Sequence, residues 1–323
     1  MLIKKSISIV FIICASTMYA QTCCSGGIPL SNNIGMSVEE KGTLQLSLNY
    51  DYNNLNTLNN GTEKLNDDSR LRITHSILFN LSYAITNRLS VEGLFTWVNQ
   101  RRAISQFGNE NLDQTSGIGD GLLLVKYNFK NGLGKNSNIE LGLGAKIPFG
   151  SSTETNNQGI TLNADLQPGS NAWDIVYFLS ASKQANFRPS LTFSGRIIYR
   201  STGTNNSYFE NSSYKFGNEI QTFLGISDQF SILKTLATPS ISLKYRDAKQ
   251  DEIDGFNLDN TGGNWLFIIP DFSINIKPNL VFSTRAELPL YSNVDGTQLT
   301  PTYRITTGFL FKIKPKSKLL NLR

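Results

Sequence analysis

Residues 72–100 read RITHSILFNLSYAITNRLSVEGLFTWVNQ. Ile77, Phe79, Leu81 and Tyr83 fall on one face before Thr86 and Asn87; Leu89, Val91, Phe95 and Trp97 fall on one face after them. An apolar side chain at every second residue has the period of a strand, whose side chains point alternately to opposite sides. A two-residue break between two such runs permits only a tight hairpin. The stretch therefore predicts two antiparallel strands that share one apolar face.

The same pattern recurs outward in both directions. Alternating segments cover 42–51, 72–85, 88–100, 117–129, 139–147, 173–182, 191–200, 216–227, 239–246, 265–276, 280–288 and 303–313. Most approach the roughly 9–11 residues a tilted spanning strand needs. Short connections (86–87, 130–136, 184–187 and 277–279) alternate with long ones rich in Asn, Gly, Asp and Thr. Residues 228–236 form a somewhat longer turn within that scheme. The predicted fold is all-β: an up-and-down antiparallel transmembrane barrel of about 12 strands, elaborate at one end and plain at the other. A soluble β-sandwich would also alternate, but it would bury its apolar face against a second sheet. Tyr50, Trp97, Trp173, Tyr199 and Tyr245, near strand ends, suit an interfacial aromatic belt.

Residues 1–20 read as a signal peptide: Lys4 and Lys5, an apolar run over 7–15, then Ala20 before Gln21. The expected layout is a signal at 1–20, a plug-like segment at 21–41, the barrel at 42–314 and a basic tail at 315–323. An even strand count puts both termini in the periplasm. The net charge of +5 falls to +3 once Lys4 and Lys5 leave, and Lys312, Lys314, Lys316, Lys318 and Arg323 add five cations at the end. The body is close to neutral, so nothing in the charge points to nucleic acid. Cys23 and Cys24 are adjacent, with no histidine near them to complete a metal site. No cofactor is expected.

With the richer apolar face toward lipid, the other face lines the lumen. It carries charges of both signs, among them Glu92, Lys126, Glu140, Arg196, Glu219, Glu287 and Arg304. Charges facing lipid would be costly, which motivates the inward assignment. Counting from strand ends sets Glu92 and Glu140 beside Lys126, Arg196 opposite Glu219, and Glu287 opposite Arg304. These are expected either to form a constriction or simply to pair within a narrow barrel. Leu122, Leu124, Phe178, Phe223, Trp265 and Phe267 share this face; they would line a path for a hydrophobic molecule or fill the interior. Gly117, Gly119 and Gly121, with Asp120, remove side chains at a strand start, which permits a bulge or the close approach of another segment.

Three motifs carry a resemblance: Thr22-Cys23-Cys24-Ser25-Gly26-Gly27, Arg70-Leu71-Arg72, and Gly117-Ile118-Gly119-Asp120. On these the chain resembles Bacteroidetes-type outer-membrane barrels and the "MetA-pathway of phenol degradation" outer-membrane family. The resemblance implies a channel in the cell outer membrane, in contact with its lipid, for passive uptake of small hydrophobic or aromatic solutes. A structural or adhesion-type barrel without transport stays open as an alternative. A hydrolase is remote, because the lone histidine, His75, falls on the lipid-facing parity and cannot serve an inward Ser/His dyad. The segment 21–41 is expected to fold into or against the barrel, near the 117–121 glycines or below them, and to gate the lumen.

Overall fold

The computed structural model describes residues 34–106, 109–209 and 212–315. The signal segment, Cys23, Cys24 and the tail from 316 onward lie outside the described residues. Twelve long strands form the wall: β1 (Leu44–Leu55), β2 (Arg70–Ala84), β3 (Leu89–Gln106), β4 (Gly121–Lys130), β5 (Ser137–Ile147) and β6 (Asp174–Ala185), followed by β7 (Arg188–Ser201), β8 (Glu219–Asp228), β9 (Thr235–Ala248), β10 (Gly263–Lys277), β11 (Leu280–Val294) and β12 (Tyr303–Ile313). Each pairs antiparallel with its sequence neighbours, and β12 returns to β1, with Leu44 opposite Ile313. The sheet is a closed barrel with no free edge, which satisfies the backbone polar groups that lipid cannot.

The outer surface carries the apolar half of each alternation. Leu48, Phe79, Leu123, Leu143, Ile175, Phe193, Leu243 and Phe309 are exposed there. Tyr50, Trp97, Trp173, Tyr199 and Tyr245 join them toward the loop end of the wall. His75 is also on this outer face, its Nδ1 2.6 Å from the Tyr50 hydroxyl. No described helix is long and apolar enough to cross a membrane; strands do the crossing.

One end of the barrel is closed by short turns, such as the one at Thr86, whose Oγ1 accepts from the N–H groups of Arg88 and Leu89. The other end is a folded lid. Thr57–Asn60, Glu63–Leu65 and Thr297–Thr300 make one small sheet; Thr204–Tyr208, Ser212–Lys215, Glu252–Ile253 and Phe256–Asn257 make a second. Residues 101–116, expected as a loop, are largely strand. Asn109–Ile118 pairs with the upper half of β3 and stands above the wall as a hairpin.

The glycine motif is where this hairpin joins the barrel. Trp97 pairs with Ile118 and Leu94 with Leu122, so β3 is opposed by one extra residue in this interval. That is a β-bulge. It shifts parity: Gly117 and Thr115 face inward above it, Leu122 and Leu124 below it. The expected unbroken strand over 117–129 is split for this reason.

Candidate functional site

The lumen is not empty, and its contents are stacked along the barrel. At the turn end, residues 34–41 enter the barrel just ahead of β1. Glu92 takes the N–H groups of Gly35 and Met36 on its two carboxylate oxygens, each at 3.0 Å. Lys126 is 2.8 Å from Glu92 and donates to the Met36 carbonyl. Glu140 accepts from the Val38 N–H at 3.1 Å, and Gln45 donates to the Ser37 carbonyl at 2.8 Å. Glu39 pairs with Lys312 of β12 at 2.6 Å. Three buried charges thus become binding groups for a main chain. A buried ion pair is tolerable only when its remaining lone pairs and protons are satisfied, and here the segment supplies that. Gly35 has φ +89, and any Cβ there would come within 2.6 Å of the Phe178 ring, so only glycine fits.

Near the lid, six fully inward side chains alternate in sign around the wall. Asp120 meets Lys146 at 3.0 Å, and Lys146 meets Asp174 at 3.0 Å. Arg200 lies 3.9 Å from Asp174 and 3.5 Å from Glu219. Arg246 lies 2.9 Å from Glu219 and 4.7 Å from the Trp265 ring. Residues 148–172 dip into the mouth and dock on this ladder and beside it. Asp165 pairs with Arg72 at 2.7 Å, and Gln100 and Thr115 donate to the Leu166 carbonyl. Ser170 donates to Asp120 at 2.7 Å. Pro168 packs where Gly117 and Gly119 leave the wall bare; a Cβ on Gly119 would be 3.3 Å from the Pro168 carbonyl. Gly121 makes room for the Phe149 ring instead.

Between the two plugs the filling is apolar. Leu78, Leu94, Leu122, Leu124, Val176, Phe178, Ile198, Phe223, Trp265, Phe267 and Ile269 form one buried cluster with Ile34 and Val294. Cations and rings interleave along its turn-end edge. Lys126 and Arg196 lie 5.8 and 5.9 Å from the Phe178 ring, Arg196 and Lys244 5.7 and 5.8 Å from Phe223, and Lys244 5.0 Å from Phe267. At these distances a ring face attracts a cation, more strongly where water is excluded.

All seven charges singled out in the sequence face inward, but several pairings differ from the counted ones. Arg196 stands opposite Phe223, while Arg200 stands opposite Glu219. Three residues of the four-residue offset arise because β8 starts at Glu219; Phe216, counted as strand, packs with Tyr208 and Tyr214 in the lid. Glu287 and Arg304 are register neighbours, yet Glu287 pairs with Lys244 at 2.9 Å and Arg304 with Asp51 at 2.8 Å. Glu92 pairs with Lys126, whereas Glu140 serves the Val38 N–H. Residues 148–172 escaped sequence reasoning because their polar composition reads as an ordinary loop. The Leu166 and Pro168 within them were the available signal.

A family model described as "Putative MetA-pathway of phenol degradation" matches residues 84–299. The chain belongs to that family. The matched region runs from the end of β2 to the lid strand before β12, so it contains the ladder, the glycine bulge and all of the apolar filling but Ile34 and Leu78. No curated protein matches the sequence. Among solved structures, the COG4313 outer membrane channel from Pseudomonas putida F1 is similar over 88% of this chain and 100% of that one, with 15% identity and a TM-score of 0.66. A NanC porin is similar over 84% of this chain and 100% of that one, with 10% identity and a TM-score of 0.46. The CymD monoaromatic hydrocarbon channel is similar over 85% and 89%, with 8% identity and a TM-score of 0.41. The first of these likenesses establishes the family member's fold as a β-barrel of the outer-membrane kind.

Proposed function

We propose that the protein is an outer-membrane channel for passive uptake of small hydrophobic or aromatic solutes. The lid faces outward and both termini face the periplasm. One observation carries this reading: mid-barrel, the lumen is packed with Leu, Val, Ile, Phe and Trp side chains instead of being lined for water. A general porin has a polar, water-filled interior. Apart from Arg196, the buried charges above and below this zone are paired or bound to main chain, so they disfavour a pore selected for one sign of ion. An apolar solute would lose little by leaving lipid or loop contacts for such an interior.

The segment preceding β1 acts as the gate in this reading. It is held by Glu92, Glu140, Lys126 and Lys312, all on the wall, and it narrows the route from the apolar zone to the turn end. A structural barrel without transport is the second reading, favoured by the occlusion at both ends. The deciding experiment is flux of phenol and toluene into proteoliposomes, with the full chain and with residues 21–41 deleted. The channel reading expects flux above empty liposomes and a further increase on deletion. A correctly folded deletion that passes neither solute favours the structural reading.

A further inference from the structure

We infer that Arg196 is the anchor of a binding site, inside the lumen, for a small organic monoanion with a flat apolar body, a monocarboxylate of the benzoate kind. This rests on the channel reading and narrows its substrate class.

Three observations converge on Arg196. The first is a cavity of about 460 Å³ on the turn-end side of the cation and ring belt. It runs from Arg196 and Phe223 to Lys130 and Asn138 at the turn-end rim, and residues 35, 37 and 38 of the plug form part of its wall. A second cavity of about 260 Å³ meets the same arginine from the side of β10 and β11. Volumes of roughly 300–1,000 Å³ hold small-molecule ligands.

The second observation is that, among the described residues, the Nε and Nη1 of Arg196 have no hydrogen-bond acceptor, and both atoms are shut off from solvent. Among the described residues no carboxylate lies within 4 Å of it, although its inward neighbours Lys126, Arg200, Lys244 and Arg246 each have one. A guanidinium left in this state in a protein interior is costly unless something supplies acceptors. Its planar fork matches a carboxylate in two parallel hydrogen bonds.

The third observation is the flanking chemistry. Phe178 and Phe223 set their rings about the guanidinium, which hold it in place and offer flat apolar faces beside it. Glu140 lines the same cavity. Arg196 and the rim Lys130 against Glu140 leave one net positive charge along the cavity, which favours a single negative charge over a dianion such as phosphate. The nearest charged groups facing Arg196 are Glu92, Glu140 and Arg285, and the first two are already engaged with the N-terminal segment.

The test is calorimetric titration of the full chain in detergent with benzoate, with its neutral isostere benzamide, and with inorganic phosphate. Benzoate is expected to bind about tenfold or more tightly than benzamide, the usual effect of a charged hydrogen-bonded pair. Arg196→Met is expected to bring the benzoate-to-benzamide ratio close to one, and Arg196→Lys to retain part of it. Should Arg196→Met fail to form the heat-modifiable barrel, the wild-type ratio and Arg196→Lys still decide. Equal binding of benzoate and benzamide by the wild type overturns the proposal, as does a preference that survives loss of the guanidinium. Phosphate binding as tight as benzoate overturns the ligand class. A barrel that passes no phenol but prefers benzoate through Arg196 keeps the site and defeats the channel reading; one that passes phenol with no such preference does the reverse.

Discussion

At the turn end, residues 34–38 are held by their main chain: Glu92, Glu140, Lys126 and Gln45 reach from the wall to their N–H and carbonyl groups. At the loop end, residues 164–170 contribute side chains of their own: Asp165 to Arg72, Ser170 to Asp120, and Leu166 as a fully buried wedge. The first plug therefore depends little on its own side chains, except at Gly35, the apolar contacts of Ile34 and Val38, and the Glu39 carboxylate that meets Lys312. The second is written into its residues. Two stoppers of the same barrel thus differ in what specifies them: wall chemistry at one end, loop chemistry at the other.

The comparison breaks first at the wall charge. Glu92→Ala leaves Lys126 buried without its carboxylate and strips two N–H groups of their acceptor, a loss of about 3–5 kcal/mol. Hydrogen exchange should show residues 34–41 losing protection while 148–172 keep theirs. Asp165→Ala should do the opposite, by about 3 kcal/mol, because Arg72 keeps Gln100 and the residue-165 carbonyl as acceptors. If either variant loosens both plugs, they are one cooperative unit and the contrast fails.

A graded effect comes next, in the lid. Asp251 accepts from the Tyr214 hydroxyl at 2.5 Å and the Gly217 N–H at 2.8 Å. Burial nevertheless raises its carboxyl from an ordinary 3.8 to about 6, against the lowering effect of those two bonds. The folded lid thus binds a proton more readily than the unfolded chain does. Its stability is full below about pH 4 and falls as pH rises through about 6, by roughly 3 kcal/mol at most. Protection of residues 204–215 should fall across that window in the wild type and stay flat in Asp251→Asn.

The smallest effect sharpens the contrast from below. Ser37 sits in the middle of the turn-end plug with its side chain exposed. Ser37→Ala should change plug protection by less than about 0.5 kcal/mol, since the wall grips the main chain at that position and the hydroxyl makes only a long, exposed hydrogen bond of 3.4 Å to Glu39 of the same segment.

The outer half of the alternation was legible in the residues themselves, because lipid imposes one rule on every outward position. Hence the twelve strands and the inward parity of Glu92, Lys126 and Arg196 follow from periodicity alone. Register was less legible. Whether Arg196 or Arg200 faces Glu219 depends on strand tilt and on where β8 leaves the lid, and four residues of slip preserve the alternation. The docking of residues 148–172 was hidden for another reason. Its anchors Asp165 and Ser170 are ordinary loop residues, and only the ladder they meet gives them meaning.

The ion pair between Glu39 and Lys312 has a consequence for assembly. Glu39 lies just ahead of the first strand and Lys312 on the last, opposite Gln45 of β1. The two groups are brought together only when the first and last strands meet. The last tether of the turn-end plug is thus also a latch on the seam, made at the moment the sheet becomes a cylinder. A nascent barrel with its seam still apart lacks this latch, and its stopper stays loosely held until the wall is whole.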